Sequence, residues 1–328
     1  MGTSRPISTA EIPPQFLEST LMVGTIPFTA LQTDPRISYT LYIPAEHYNP
    51  DPSRQHSHNS SDLDARYMLH ALPLIVNVHG THRDAEKCRD RLVEFADFER
   101  VAVLAPLYPA AIDSYTDLDN YKLLRYKSLR SDLALLHILD EVAAKWPGIA
   151  TNKFYMMGFS GGGQFVHRFA YLHPERLHAI SVGAPGRATF LDPNLRWPDG
   201  IKDITEQFGQ NTVLDKSQIR AMKGIHLVVG DVDNAIHGGS GFWEWLAMKK
   251  KELQPTVGSK DTKGVVASEK LSIPRKGRID TLKELQESWK REGIMSKLDI
   301  VPGVAHDSGG VHLHVEEFFR ILIRGHPL

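Results

Sequence analysis

The segment KFYMMGFSGGGQFVHRFAYL, residues 153–172, contains an apolar run, a glycine-rich pentapeptide and an amphipathic stretch, in that order. The apolar run predicts a buried strand, and the helical spacing of apolar residues after the glycines predicts a helix. Between them, Gly158-Phe159-Ser160-Gly161-Gly162 fits the pattern Gly-x-Ser-x-Gly. A chain that turns so sharply strains its central serine, and the flanking glycines remove Cβ atoms that would clash. The segment therefore predicts a nucleophilic Ser160 at a strand-to-helix turn.

Apolar strand-like runs alternate with helix-like stretches along most of the chain. Runs that are apolar throughout are typical of a parallel sheet covered by helices on both faces. Two β-rich runs near the N-terminus, 18–26 and 36–44, predict antiparallel edge strands. The fold class is therefore α/β, with a mostly parallel central sheet. The remaining predicted strands are 72–80, 101–107, 153–158, 179–185, 225–230 and 297–303, and the predicted helices are 84–98, 129–146, 161–172 and 311–323.

Composition and charge exclude several classes of protein. A hydrophobic fraction of 41% and a charged fraction of 23% are ordinary for a globular chain and exclude wholesale disorder. The 38 basic and 39 acidic side chains leave no electrostatic footprint for nucleic acid. Cys88 is the only cysteine, which fits a reducing compartment. No secretory signal or membrane-spanning run is visible, so we expect a cytoplasmic protein without a membrane span.

The length of 328 residues suits one α/β domain over residues 1–328. Two stretches are longer than the sheet requires, namely 186–222 and 237–296, whose middle is rich in Lys, Ser, Gly and Thr. We interpret both as insertions that form a cap or lid. The aromatic loop 108–126 is a candidate for another wall of the pocket, with ordinary core packing as the alternative.

The strand, turn and helix around Ser160 resemble the nucleophile region of the α/β-hydrolase superfamily. Three segments are similar in sequence to intracellular fungal hydrolases, namely LPLIVNVHGTHRDAE, GFSGGGQFVHRFAYLHPERL and GAPGRAT. Those hydrolases are distantly like poly(hydroxyalkanoate) depolymerases and feruloyl esterases. Some such relatives act in secondary metabolism. The resemblance implies a catalytic triad in the chain order serine, acid, histidine.

The resemblance implies an acid and a base downstream of Ser160. A serine hydroxyl needs a base within hydrogen-bond reach and a third group that orients the base. The family usually places the acid three residues after the glycine that ends a strand, which selects Asp233 after Gly230, with Asp231 as the alternative. The base is His306, which follows the last predicted strand in a Gly-x-x-His context.

Acyl transfer also needs N–H donors for the oxyanion. The first is expected from the backbone of Gly161, directly after the nucleophile. His79-Gly80-Thr81 resembles the family's His-Gly-x segment, which implies Thr81 N–H as the second donor, with Gly80 as the alternative. His79 either braces this loop or is a histidine at a strand end without a catalytic task.

No nucleotide-binding or metal-binding pattern is present in the sequence, so we expect no cofactor and no metal. His312 and His314 lie two apart on a predicted helix and so do not share a face. Cys88 has no evident base nearby, and we interpret it as a packing residue.

These features predict a serine hydrolase that cleaves a carboxylic ester, thioester or lactone of a small acyl substrate through an acyl-enzyme on Ser160. Secondary metabolism is the context that the resemblance suggests. One alternative is cyclisation, condensation or carbon–carbon cleavage by the same triad, because fold and triad do not fix the reaction. Another is a non-catalytic ligand-binding module on this scaffold. The sequence does not indicate the oligomeric state.

Overall fold

The computed structural model describes residues 6–53, 71–113, 117–210, 212–233, 244–245, 248–249, 252 and 277–325. Within these residues, eight strands form one sheet and two short strands form a hairpin. The strands are β1 (Gly24–Ala30), β2 (Ser38–Ile43), β3 (Leu72–Val78), β4 (Ala102–Leu107), β5 (Arg125–Tyr126), β6 (Leu129–Arg130), β7 (Ile149–Phe159), β8 (Leu177–Gly183), β9 (Gly224–Gly230) and β10 (Lys297–Val301).

The large sheet has the strand order β1-β2-β4-β3-β7-β8-β9-β10. β2 is antiparallel to both β1 and β4. The neighbouring pairs from β4 through β10 are all parallel. The predicted fold class, a mostly parallel sheet with antiparallel N-terminal strands, is confirmed.

Helices cover both faces of the sheet. They are α1 (Ala85–Asp90), α2 (Val93–Glu99), α3 (Ser131–Lys145), α4 (Gly161–Leu172), α5 (Ile204–Phe208), α6 (Lys216–Arg220), α7 (Arg278–Arg291) and α8 (His312–Ile323). Alternate residues of each strand point to opposite faces. Leu74 and Val76 of β3 therefore join a cluster with α3, α4 and α7, whereas Ile75 joins a cluster with α2 and α8.

The N-terminal strands differ from the prediction in position. The first strand begins at Gly24, not at residue 18, and only β1 lies at the sheet edge, because β2 pairs on both sides. The cause is a turn in which Met22 N–H donates to Leu17 O at 2.8 Å. Leu21 takes a left-handed φ of 55° in this turn, so the first half of the apolar run cannot be extended.

The single helix predicted over 84–98 is wrong, because the structure divides it into α1 and α2. A continuous helix would pair the carbonyls of Cys88 and Arg91 with amides four residues later. Instead, Asn77 Nδ2 donates to Cys88 O at 2.9 Å, and His312 Nε2 contacts Arg91 O at 3.1 Å. Side chains from β3 and α8 therefore satisfy carbonyls at the break.

The stretch 186–222 carries α5 and α6 and packs against the loop that precedes β5. Trp197 Nε1 donates to Leu123 O at 2.9 Å, and the Trp197 and Phe208 rings meet edge to face at 4.9 Å between centroids. The second stretch is 237–296, and its residues 237–276 lie outside the described residues apart from five positions. The cap role of both stretches stays a prediction. In the part of the chain that the structure describes, no helix has the length and apolar character that crossing a membrane requires.

Candidate active site

Ser160 forms the turn between β7 and α4. Its backbone has φ 57° and ψ −111°, a strained conformation for a residue with a side chain. Two hydrogen bonds hold it there: Ser160 N–H donates to Gly183 O at 2.8 Å, and Gln164 N–H donates to Ser160 O at 3.1 Å. A Cβ atom on Gly158 would lie 2.5 Å from the carbonyl carbon of Gly162. The glycines are therefore required for the close approach of strand and helix.

The two predicted oxyanion donors lie next to each other. A Cβ atom built on Gly161 would lie 3.3 Å from the backbone nitrogen of Thr81. A Cβ atom built on Gly80 would lie 3.8 Å from Cβ of Ser160. The loop after β3 thus passes beside the strand-to-helix turn, as the sequence predicts for Thr81 and Gly161.

The carbonyl groups of this loop are fixed by hydrogen bonds. Tyr121 Oη donates to His79 O at 2.9 Å, and Arg83 Nη1 donates to Thr81 O at 2.8 Å. Tyr108 N–H donates to His79 Nε2 at 3.0 Å, so the proton of this imidazole lies on Nδ1, which is 2.8 Å from Gly80 O. Complete burial lowers the pKa of His79 to about 4, which keeps it neutral. His79 braces the loop, one of the two interpretations left open by its sequence context.

Tyr108 and Tyr121, the described aromatic residues of the loop 108–126 that lie nearest this site, are fully buried and their rings stack at 5.5 Å between centroids. Tyr115 lies outside the described residues, and the Tyr126 hydroxyl bonds to Asp117 at 2.7 Å. Core packing, the alternative for this loop, therefore describes Tyr108 and Tyr121.

Lys122 is a residue of the site that the sequence motifs do not indicate. Its side chain is only 6% exposed, and Nζ donates to Thr81 Oγ1 at 2.9 Å and to Asp119 Oδ1 at 2.6 Å. Burial lowers the pKa of Lys122, while the carboxylate of Asp119 opposes that effect. A buried ammonium group thus binds the side chain of Thr81, the residue predicted to supply the second oxyanion donor.

The predicted base and acid are in contact. His306 Nδ1 lies 2.7 Å from Asp233 Oδ2, and the Asp233 side chain is fully buried. The second oxygen of Asp233 accepts a hydrogen bond from Arg278 Nη1 at 3.0 Å, a partner that the sequence does not reveal. Asp231, the alternative acid, instead accepts a hydrogen bond from Gly303 N–H at 2.7 Å in an exposed turn. The structure therefore brings Asp233, not Asp231, to His306.

A cavity of about 190 Å³ opens beside Ser160 and His306. Ser160, His306 and Thr81 line it, and the ring of His306 packs on Phe159 at 4.9 Å between centroids. Cys88 also lines the cavity, and burial raises the pKa of its thiol to about 12, which suits a packing residue. Among the described residues, no three His, Cys, Asp or Glu side chains are grouped so that they could hold a metal ion.

No family model and no curated protein matches the chain. Solved structures do match. A poly(3-hydroxybutyrate) depolymerase from Bordetella parapertussis is 18% identical and has a TM-score of 0.58, over 96% of this chain and 93% of that chain. Poly(aspartic acid) hydrolase-1 from Sphingomonas sp. KT-1 is 18% identical and has a TM-score of 0.56, over 86% and 92%. The fluorophosphonate-binding serine hydrolase F of Staphylococcus aureus is 14% identical and has a TM-score of 0.50, over 92% and 98%.

Likeness at this identity shows the fold. The chain has the α/β-hydrolase fold, so the resemblance stated from its motifs is confirmed at the level of architecture.

Proposed function

We propose that this protein is a serine hydrolase that cleaves a carboxylic ester, thioester or lactone through an acyl-enzyme on Ser160. The observation that carries the proposal is the 2.7 Å contact between His306 Nδ1 and the buried Asp233, at a cavity that Ser160 also lines. The names of the similar structures, among them a hydrolase and a depolymerase, favour hydrolysis as the reaction. One of them is by name a fluorophosphonate-binding serine hydrolase, which favours a serine nucleophile.

In the proposed mechanism, Ser160 Oγ attacks the substrate carbonyl carbon while His306 Nε2 accepts the hydroxyl proton. Asp233 holds the Nδ1–H of His306 and balances the charge of the imidazolium that forms. The amides of Gly161 and Thr81 donate to the oxyanion, which carries the charge of the tetrahedral intermediate. His306 then gives its proton to the leaving oxygen or sulfur.

The acyl group is released by water in the second half of the cycle. His306 takes a proton from the attacking water, and collapse of the second tetrahedral intermediate returns a proton to Ser160. The ion pair between Arg278 and Asp233 supports this chemistry, because the guanidinium binds the second carboxyl oxygen and so orients the first toward His306. Action on a small molecule in the cytoplasm, in secondary metabolism, completes the proposal and stays a prediction.

Steady-state hydrolysis of p-nitrophenyl esters of short acids tests the proposal. The variants are Ser160→Ala and His306→Gln, and Ser38→Ala on β2, three strands away from β7 in the sheet, is the matched control. We expect kcat/KM to fall by about 10³-fold or more in the first two variants, since each removes a member of a unit that acts together. An unchanged kcat/KM in Ser160→Ala would overturn the proposal.

A further inference from the structure

A second serine, histidine and aspartate are hydrogen bonded in a row on neighbouring strands. Ser181 Oγ on β8 lies 3.0 Å from His226 Nδ1 on β9. His226 Nε2 lies 3.1 Å from Asp299 Oδ2 on β10. Ser181 and His226 are register partners in the parallel sheet. Ser181 also lines the cavity that holds Ser160 and His306, so the row begins at the candidate active site.

The proton positions in this row follow from the ionisation state of Asp299. Burial raises the pKa of Asp299, but the hydrogen bond from Lys297 at 2.9 Å and the contact with His226 lower it overall. Asp299 is therefore a carboxylate and only accepts, so His226 Nε2 carries a proton. Burial lowers the pKa of His226 to about 4, so this ring is neutral and its Nδ1 is an acceptor. Phe318 stacks on the ring at 4.8 Å and holds its orientation.

Because His226 Nδ1 can only accept, the hydroxyl of Ser181 must donate its one proton to it. Ser181 Oγ can then take part in a further hydrogen bond only as the acceptor. Among the described residues, the one hydrogen bond recorded for Ser181 Oγ is the bond to His226. The row therefore fixes an oxygen acceptor on the wall of the cavity.

The row lacks the features of a second nucleophilic site. Ser181 lies in the middle of β8, which pairs with β7 on one side and with β9 on the other. The backbone amides of β8 around Ser181 are used in pairing with the neighbouring strands, so they cannot bind an oxyanion. The conformation of Ser160, in contrast, places it at a turn with two candidate amides beside it. Recognition, not bond cleavage, is the role that the surroundings of Ser181 allow.

The position of Ser181 relative to Ser160 indicates which part of a substrate it would meet. Ser181 pairs in register with Met157, three residues before Ser160, which corresponds to roughly 10 Å along the strand. The lining of the cavity includes the apolar side chains of Met157, Val228 and Val315 together with polar and charged ones, among them Asn77, Lys87 and Arg91. A chain that extends from the reacting carbonyl into this space would pack on these apolar side chains and meet the acceptor far from the carbonyl.

We propose that the cavity binds the acyl part of the substrate and that Ser181 is a specificity-determining residue, which accepts a hydrogen bond from a hydroxyl carried by the acyl chain remote from its carbonyl. This inference rests on the proposed function, because it assigns the acyl side of the substrate to the cavity. A buried acceptor that is fixed in place discriminates against a ligand without a donor, since the acceptor is then left unpaired.

The test uses p-nitrophenyl esters of unbranched acids that end in a hydroxyl, in a series of increasing chain length. Each is compared with the ester of equal length that ends in a methyl group and with the one that ends in a methoxy group. At one chain length, wild-type protein is expected to prefer the hydroxyl over both partners by about tenfold in kcat/KM. The methoxy ester separates the two directions of hydrogen bonding, because a methoxy oxygen cannot donate.

The ratio of kcat/KM for the hydroxyl ester to that for the methyl ester should fall close to one in Ser181→Ala and stay at its wild-type value in the matched control Ser38→Ala. A wild-type protein without preference at any length, a methoxy ester favoured as much as the hydroxyl, or a preference that survives in Ser181→Ala would each overturn the inference. The comparison of the three esters uses wild-type protein alone, so it decides the matter even if Ser181→Ala does not fold. Absence of turnover on every ester would overturn the proposed function instead.

Discussion

Gly158→Ala is the substitution whose effect can be worked most directly from the geometry of the turn at Ser160. The added Cβ atom would lie 2.5 Å from C, 2.7 Å from O and 2.9 Å from Cα of Gly162. All three are backbone atoms in the first turn of α4, and carbon atoms in contact are ordinarily about 3.5–4 Å apart. Relief of the overlap therefore requires the start of α4 to move by about 1 Å relative to β7.

Overpacking of this kind costs about 1–3 kcal/mol of folding free energy. Alanine in a strand regains about 0.5–1 kcal/mol relative to glycine, so we expect a net loss within about 0–2.5 kcal/mol. Activity should suffer more than stability, because α4 carries the Gly161 amide beside Ser160, and a displacement of about 1 Å at a catalytic group can cost about 100-fold.

The assay is urea-induced unfolding, together with kcat for a p-nitrophenyl ester. Gly186→Ala is the matched control, because the nearest atom to its Cβ would be the Gln164 side-chain nitrogen at 3.6 Å, an ordinary contact. We expect that control to stay within about 0.5 kcal/mol of the wild-type stability. Equal stability and equal kcat in the two glycine variants would refute the reasoning about the turn.

Three further predictions concern the acid, the buried lysine and the response to pH. Asp233→Asn should lower kcat for ester hydrolysis by about 10³–10⁴-fold, because the amide cannot hold the reactive tautomer of His306. Asp231→Asn should lower kcat less than about tenfold. Equal losses of kcat in the two variants would contradict the assignment of Asp233 as the acid. Lys122→Met should lower kcat by about tenfold with little change in KM, because the ammonium group that fixes the Thr81 side chain beside the oxyanion is lost; a raised KM with unchanged kcat would argue against this role. Burial lowers the pKa of His79 and His226 to about 4 from an ordinary 6.5. Below about pH 6.5 the unfolded chain therefore binds more protons than the folded chain, and the free energy of unfolding decreases as the pH is lowered. The expected loss is about 2 kcal/mol for each of these histidines between pH 7 and pH 5, and urea unfolding that is independent of pH in this window would exclude it.

The elements nearest Ser160 could be predicted from sequence because local rules determine them. The helix expected over 161–172 is α4 to the residue, since the glycines and the amphipathic pattern mark both its start and its face. His306 could be placed because the resemblance implies a histidine after the last strand, and that strand could be located from the apolar residues that alternate with Lys297 and Asp299. Asp233 depended on the resemblance, because both acidic residues after β9 suit a turn.

Other features depend on contacts between distant parts of the chain. The break between α1 and α2 arises from side chains of Asn77 and His312, which no local pattern places beside that helix. The row of Ser181, His226 and Asp299 requires the register of three parallel strands, and an apolar run does not specify register. Lys122 and Arg278 lie outside the recognised motifs, so only the folded chain reveals their contacts with Thr81 and Asp233.

The most direct test of a nucleophilic Ser160 is covalent labelling with a fluorophosphonate, followed by tandem mass spectrometry of the digested protein to locate the adduct. The expected result is one adduct per chain, on the peptide that contains Ser160, together with loss of labelling in Ser160→Ala and slower labelling in His306→Gln. An adduct on a different side chain, or labelling of Ser160→Ala at the wild-type rate, would contradict the assignment of Ser160 as the nucleophile.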